Sequence, residues 1–307
     1  MWITKTRRVA AEVGRIGRRS RRARLWASAV LLGVVLLVVN RLWPEWNPLP
    51  DLGGAVGTSG MIGVFLAALF CEYVDSSLGM GYGTTLTPLL LLFGFEPLQI
   101  VPAVLLSEFL SGLSAGLLHH RDGNVDFRHD VQARRTAILL SVLSVVGTLL
   151  AVLLALSIPR FWLKAIIATI VLSVGVVILA TIRRQIAYRR GHIVVLGAVA
   201  AFNKGLSGGG YGPLVTGGQV VSGVSPKSAV AITSLAESLT CLVGLIAYVV
   251  MRGSLEWALA VPLTLGALCS VPIATLTIRR LPESAVRGCV GVATCVLGLL
   301  TFAKLFW

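Results

Sequence analysis

Gly79-Met80-Gly81-Tyr82-Gly83 returns as Gly208-Gly209-Gly210-Tyr211-Gly212, an offset of 129 residues (208 minus 79). The same offset lays Thr87 on Thr216, Pro97 on Pro226 and Glu108 on Glu237. With one residue of slippage Gly123-Asn124-Val125-Asp126-Phe127 falls on Gly253-Ser254-Leu255-Glu256-Trp257, and Pro159 opens a last helix as Pro282 does. A self-similarity at fixed period is the mark of a duplicated structural unit, here covering about 58–182 and 191–305.

Around these motifs the chain is apolar almost throughout. Of 307 residues 56% are hydrophobic and 13% charged, with a mean hydropathy of +0.86. A soluble surface needs far more charge, so the chain must use lipid as its solvent. Stretches of roughly 20 residues, enough to cross about 30 Å of hydrocarbon, are read at 26–43, 98–118, 134–157, 160–182, 226–250, 257–278 and 283–305. Two further apolar regions, 58–95 and 191–222, are interrupted by SSLGMGYG (76–83) and GLSGGGYG (205–212). The second arm of each is too short to cross alone, which predicts a broken helix or a re-entrant hairpin.

Nine of the 27 Lys and Arg lie in the first 24 residues, so the net charge of +14 reads as a topology signal rather than a nucleic-acid surface. The apolar run after them lacks a small-residue cleavage site and ends at Trp43-Pro44, which predicts an uncleaved anchor helix. Placing the N-terminus, 119–135, 183–190, 223–227 and 279–287 on the cytoplasmic side puts 21 basic residues inside and five outside. The expected architecture is all-α and polytopic. A basic cytoplasmic tail with an anchor helix spans 1–57, transport repeat 1 spans 58–190 and transport repeat 2 spans 191–307. Each repeat is a broken or re-entrant element plus three transmembrane helices; with an odd number of crossings the two would be inverted, a recurrent plan of secondary transporters.

The glycine breaks let several N–H groups point into one cavity beside the positive end of the following half-helix, which suits an anion. Glycines that only let helices pack closely are the bland alternative. Charges at membrane depth cost at least ~2.5–3.5 kcal/mol each on insertion scales and mark function by default. Lys204 is the only basic residue between Gly191 and Pro226, and its repeat partner is Asp75. A direct Lys204–Asp75 pair and a substrate-holding Lys204 are both open readings. Glu108 and Glu237, flanked by Ser107, Ser111, Ser234, Ser238 and Thr240, are a matched pair of buried acids suited to carrying a proton, or else interhelical hydrogen-bond groups. Glu72 has Ala201 as its counterpart, and its role stays undetermined. Tyr82, Tyr211, Asn203, Thr87, Thr216 and Gln219 supply hydroxyls and amides around the breaks. The candidate substrate site is therefore Gly79, Gly81, Tyr82, Gly83, Asn203, Lys204, Gly208, Gly209, Gly210, Tyr211 and Gly212, with Asp75, Glu108 and Glu237 as coupling groups.

LGMGYGTTLTPLLLLFGF and NKGLSGGGYGPLVTGGQ resemble the duplicated glycine-rich signatures of the TauE/SafE family of membrane permeases, over roughly 58–305. That resemblance implies transport of sulfite, sulfonates, sulfoacetate and related organosulfur anions; spacing alone implies only an anion. The family motif carries onto Gly79, Gly81 and Gly83, with Pro88 as its proline, and onto Gly208, Gly209, Gly210 and Gly212. The chain departs from it at Met80 and at Pro213, with no proline at Gly217 and the added segment 1–57.

No HExxH, GxSxG or Cys/His cluster is present, so no enzyme, metal or cofactor is expected. The five cysteines are read as small buried side chains, and His119, His120, His129 and His192 as solvated interface residues. The resulting expectation is a proton-coupled permease for a small oxidised-sulfur anion in the cytoplasmic (inner) membrane. A passive anion channel, or a permease for another small carboxylate or sulfur anion, is the alternative. Expected partners are that anion and membrane lipid, not nucleic acid; oligomeric state and direction of transport stay open.

Overall fold

The computed structural model describes residues 58–181, 190–221, 224–277 and 283–305; the tail and anchor helix read at 1–57 lie outside them. These residues form ten helices and no strand. In chain order they are α1 Thr58–Leu78, α2 Tyr82–Leu92, α3 Pro97–Arg121, α4 Val131–Ser157, α5 Arg160–Thr181, α6 Arg190–Ser207, α7 Tyr211–Val221, α8 Pro226–Arg252, α9 Trp257–Thr277 and α10 Glu283–Ala303.

The helix boundaries follow from local chemistry. Pro97 and Pro226 occupy first turns, where a missing N–H costs nothing. Glu96 and Gln99 cap the α3 start reciprocally, and the Asp130 carboxylate accepts from the Ala133 amide at 3.0 Å to start α4. Gly253 ends α8 in the left-handed conformation at φ +74°. The two interruptions are built from left-handed glycines, Gly79 (φ +68°) and Gly81 (φ +127°) between α1 and α2, Gly208 (φ +72°) and Gly210 (φ +83°) between α6 and α7. No other residue type adopts these angles cheaply, so the chain must leave the helix there.

Among the described residues six helices are long and apolar enough to cross a membrane: α1, α3, α4, α5, α8 and α9. Five match spans read from the sequence. The sixth, α1, is the first arm of a break and at 21 residues is long enough to cross, whereas the second arms α2 and α7, at 11 residues, reach only about 16 Å. The last span read from the sequence, 283–305, falls on α10, a helix of 21 residues. Exposed Val142, Val146 and Leu150 line one face of α4, a surface that belongs against lipid rather than water.

The two units interlock. Helix α1 packs on α9 and α6 on α4; α3 packs on α9 and α8 on α4; α2 meets α10 and α7 meets α5. Each of these pairs becomes the other when the two units are exchanged, and α3–α8 and α5–α10 close the set. Small residues make the contacts close. A Cβ on Gly266 of α9 would overlap the Phe65 carbonyl of α1, and one on Gly205 of α6 would meet Ala151 and Thr148 of α4 at 2.9 Å.

Candidate functional site

The two breaks cross each other at the centre of the interlocked units. A Cβ on Gly83 would overlap the Gly208 carbonyl, and one on Gly212 would overlap the Gly79 carbonyl. Gly209 would meet the Gly83 carbonyl carbon at 2.6 Å. Gly79 lies under the Thr216 side chain and Gly208 under the Thr87 side chain, again a matched exchange. The glycines thus do two jobs: Gly79, Gly81, Gly208 and Gly210 turn the chain, and Gly83, Gly209 and Gly212 let two backbones touch. Gly81 faces Val74 and Val290, and Gly210 faces Val174 and the side chain of half-buried Asn203.

One turn before its break, Lys204 is 1% exposed and is the one Lys or Arg buried among the described residues. Its Nζ donates to Glu108 Oε2 and, at 2.7 Å, to Glu237 Oε1. The matched acids of α3 and α8 therefore share a single ammonium. The direct Lys204–Asp75 pair open in the sequence is not what the structure shows. Asp75 Oδ1 instead faces the Tyr82 amide at 3.5 Å, at the positive end of α2, while remaining within electrostatic reach of Lys204 and Glu237. The reason is side-chain length: both stand one turn before their breaks, but Asp75 is short and stays beside its own break, whereas Lys204 is long enough to reach the α3–α8 crossing.

Tyr82 and Tyr211 are fully buried. The Tyr82 hydroxyl bonds Ser107 at 2.6 Å and donates to the Leu263 carbonyl at 3.3 Å; Tyr211 sits beside Ser144 and Thr240, which bond each other at 2.6 Å. Gln219 is turned to Thr233 and its own helix, at 3.0 and 3.3 Å, rather than to the crossing. Thr87 and Thr216 differ from other helix threonines such as Thr169 and Thr240, whose hydroxyls bond the carbonyl four residues back. Theirs are buried at 0% and 1% exposure with no protein partner.

Two residues carry more of the site than their sequence positions suggest. Glu72 is 1% exposed and accepts from Ser76 at 2.6 Å and from Ser111 at 2.9 Å. Its spacing of four from Ser76 puts both on one face of α1, a signal present in the sequence. His119, expected at a solvated interface, is 0% exposed and bonds the Ser76 carbonyl at 3.0 Å, because the 122–130 segment folds back and places Asn124 over it at 2.9 Å. Among the cysteines, Cys71 and Cys241 are buried as expected, but Cys289 is exposed.

A family model described as sulfite exporter TauE/SafE matches residues 64–301, so it takes in both breaks, Lys204 and both acids. The chain is 26% identical over 224 residues to the probable membrane transporter protein YtnM of Bacillus subtilis (strain 168), covering 69% of this chain and 72% of that protein. No solved structure matches it.

Proposed function

Because the chain belongs to the TauE/SafE sulfite exporter family of membrane transporters, we propose that it moves a small oxidised-sulfur anion, sulfite or an organosulfonate, across the cytoplasmic membrane together with protons. In this reading the N-terminus is cytoplasmic and the two repeats are inverted; the exchange of packed pairs supports a two-fold relation between the units. The observation that carries the reading is Lys204, one buried ammonium held between Glu108 and Glu237 at the crossing of two broken helices.

An anion reaching this point competes with two carboxylates for one positive charge. In a medium of low dielectric the three negative groups cannot be held together. Lys204 turns to the anion only when Glu108 and Glu237 give up their claim on it, and a carboxylate does so by taking a proton. Anion binding and proton binding are then linked by charge balance, and the linkage is reciprocal. The hydroxyls of Thr87 and Thr216, without partners and facing the opposing glycines, supply donors for the oxygens of a sulfur oxyanion. The short arms α2 and α7, held to the core at the breaks, are the elements whose rocking would open the site to either side.

The test is uptake of labelled sulfite, sulfoacetate and sulfate into proteoliposomes, with and without an imposed proton gradient, for wild type and Lys204→Ala. Gradient-driven flux of one of these anions, lost in the variant, is the expected result. Flux indifferent to the gradient would make the protein a passive channel, and no flux of any of the three would remove the sulfur anion as substrate.

A further inference from the structure

On the side of the first unit the polar groups near Lys204 continue outward through titratable residues. From Lys204 and Glu108 the next polar group along α3 is Ser111, one turn on, which donates to Glu72 Oε2 at 2.9 Å. Glu72 Oε1 accepts from the Ser76 hydroxyl at 2.6 Å, and the Ser76 carbonyl meets His119 Nε2 at 3.0 Å. Asn124 Nδ2 reaches His119 Nδ1 at 2.9 Å and the Thr275 carbonyl at 3.3 Å, while the Thr275 hydroxyl donates to half-buried Asp122 at 3.2 Å. A file of polar groups thus runs from the 122–130 segment to Glu72, which lies within electrostatic reach of Glu108 in the buried ion cluster.

The second unit shows what this file would look like if it were only structural. The offset of 129 carries His119 onto Tyr248 and Ser76 onto Gly205, and the Tyr248 hydroxyl donates to the Gly205 carbonyl at 3.0 Å. The clamp from the end of the long helix to the helix before the break is therefore conserved in geometry between the units. Its titratable parts are not. Glu72 becomes Ala201, the Ser76 hydroxyl disappears at Gly205, and an imidazole becomes a phenol. A clamp alone needs none of the three groups that the first unit adds.

We infer that Glu72 is a further proton-carrying residue of this transporter, loaded through His119 and Ser76 from the side bearing the 122–130 segment, and that the second unit is sealed against protons at the matching place. The inference rests on the proton-coupled reading above. Asn124 donates to His119 Nδ1, so the neutral ring carries its proton on Nε2. A proton arriving at Nδ1 requires the Asn124 amide to turn and accept. The ring then swings Nε2 from the Ser76 carbonyl to the hydroxyl of the same residue and gives up its proton there, and the hydroxyl's own proton goes to Glu72 Oε1, leaving a neutral imidazole and a neutral acid. The groups facing His119 are Asp122, Asn124, Ser76 and, through Asn124, Thr275 of α9. Those facing Glu72 are Asp75, Glu108, Ser76, Ser111, Cys71 and Tyr82.

The experiment uses the full chain in proteoliposomes as wild type, Glu72→Gln, His119→Tyr and Tyr248→His. Infrared difference spectra after a pH jump read the protein itself, and labelled sulfite accumulation under a proton gradient reads coupling. Glu72→Gln is expected to remove a titrating carboxyl band and to cut gradient-driven accumulation by about a hundredfold, the lower end of what a positioned proton-transfer group contributes. His119→Tyr keeps the bond to the Ser76 carbonyl, as Tyr248 does, yet should delay the band and flatten the pH dependence between about pH 5 and 8. Tyr248→His should change neither. An unchanged spectrum in Glu72→Gln, or His119→Tyr behaving as wild type, overturns the relay. If His119→Tyr does not reconstitute, Ser76→Ala, which removes the relay hydroxyl but leaves the carbonyl, is read the same way. Absence of sulfite movement in wild type would defeat the substrate reading above, while the spectra, which need no substrate, still decide the relay.

Discussion

The break at Gly79–Gly83 and the break at Gly208–Gly212 follow one backbone path and carry opposite chemistry. Both turn on left-handed glycines, both press a glycine against the other's carbonyl, and both sit under a partnerless threonine of the other unit. Around this shared frame the first break has Glu72, Asp75, Ser76 and His119, where the second has Ala201, Lys204, Gly205 and Tyr248. Symmetry has been kept where backbone geometry requires it and dropped where charge is handled. A two-fold arrangement of like charges would put two ammoniums or two extra acids at one buried point; substituting opposite charges at equivalent positions avoids that repulsion.

The largest effect should come from breaking the shared frame. Gly83→Ala and Gly212→Ala each put a Cβ onto a backbone carbonyl that cannot retreat, so the loss should exceed the ~1–3 kcal/mol of ordinary overpacking. Neither variant should give a monodisperse protein on gel filtration in detergent. Gly94→Ala, which meets nothing within 4 Å and bears only its φ of +97°, should.

Next comes the charge difference. Lys204→Ala strands Glu108 and Glu237 and should cost about 3–5 kcal/mol, read as a fall in thermal stability. Adding Glu108→Gln and Glu237→Gln should restore most of the stability but no transport; restored transport would move the anion site away from Lys204.

Thr87→Val and Thr216→Val sharpen the comparison from the symmetric side. Each removes a hydroxyl with no protein partner, so stability should stay within ~0.5 kcal/mol. Anion affinity should fall about tenfold in each, the worth of one hydrogen bond of ~1.5 kcal/mol to a charged group. Equal losses in the two variants would show that the anion sits on the pseudo-axis, and a loss in one alone would place it in one unit.

The smallest effect lies outside the membrane. Asp126 is held at about 2, below the usual carboxylate range, by its hydrogen bond to His129 at 2.8 Å and by the amides of Arg128 and His129. A carboxyl depressed in this way stabilises the fold above its unfolded value near 4 and ceases to as pH falls toward about 2. Its counterpart Glu256 is followed by Leu259 rather than a histidine. Asp126→Asn should therefore slightly reduce the loss of stability on acidification between about pH 4 and 2, measured by thermal melts, and Glu256→Gln should not reproduce that change.

Much of this was legible in the chain. The two glycine motifs locate the breaks because positive φ leaves a compositional trace, and the spans show because about 20 apolar residues leave another. Partners across the units left none. Lys204 and Asp75 are equivalent by repeat, which suggested a pair, but equivalence under a two-fold does not imply contact, and Lys204 ends between two helices that the sequence could not bring together. Along α3 alone His119 stands at a solvated end; its burial comes from Asn124 and Thr275, the latter more than 150 residues away. The repeat alignment itself paired His119 with Tyr248, and that pairing was the available clue.

The interlocking of the units also bears on how the chain is made. Glu108 is threaded into the bilayer 96 residues before Lys204 leaves the ribosome, an interval of roughly 5–20 s at ordinary rates of synthesis. During that time the first half has made a cradle for a backbone that does not yet exist, with an acid in oil and the Gly83 surface bare. A nascent chain stalled between the two repeats is thus a substrate for membrane quality control. Two halves expressed as separate polypeptides should accumulate only when both are supplied.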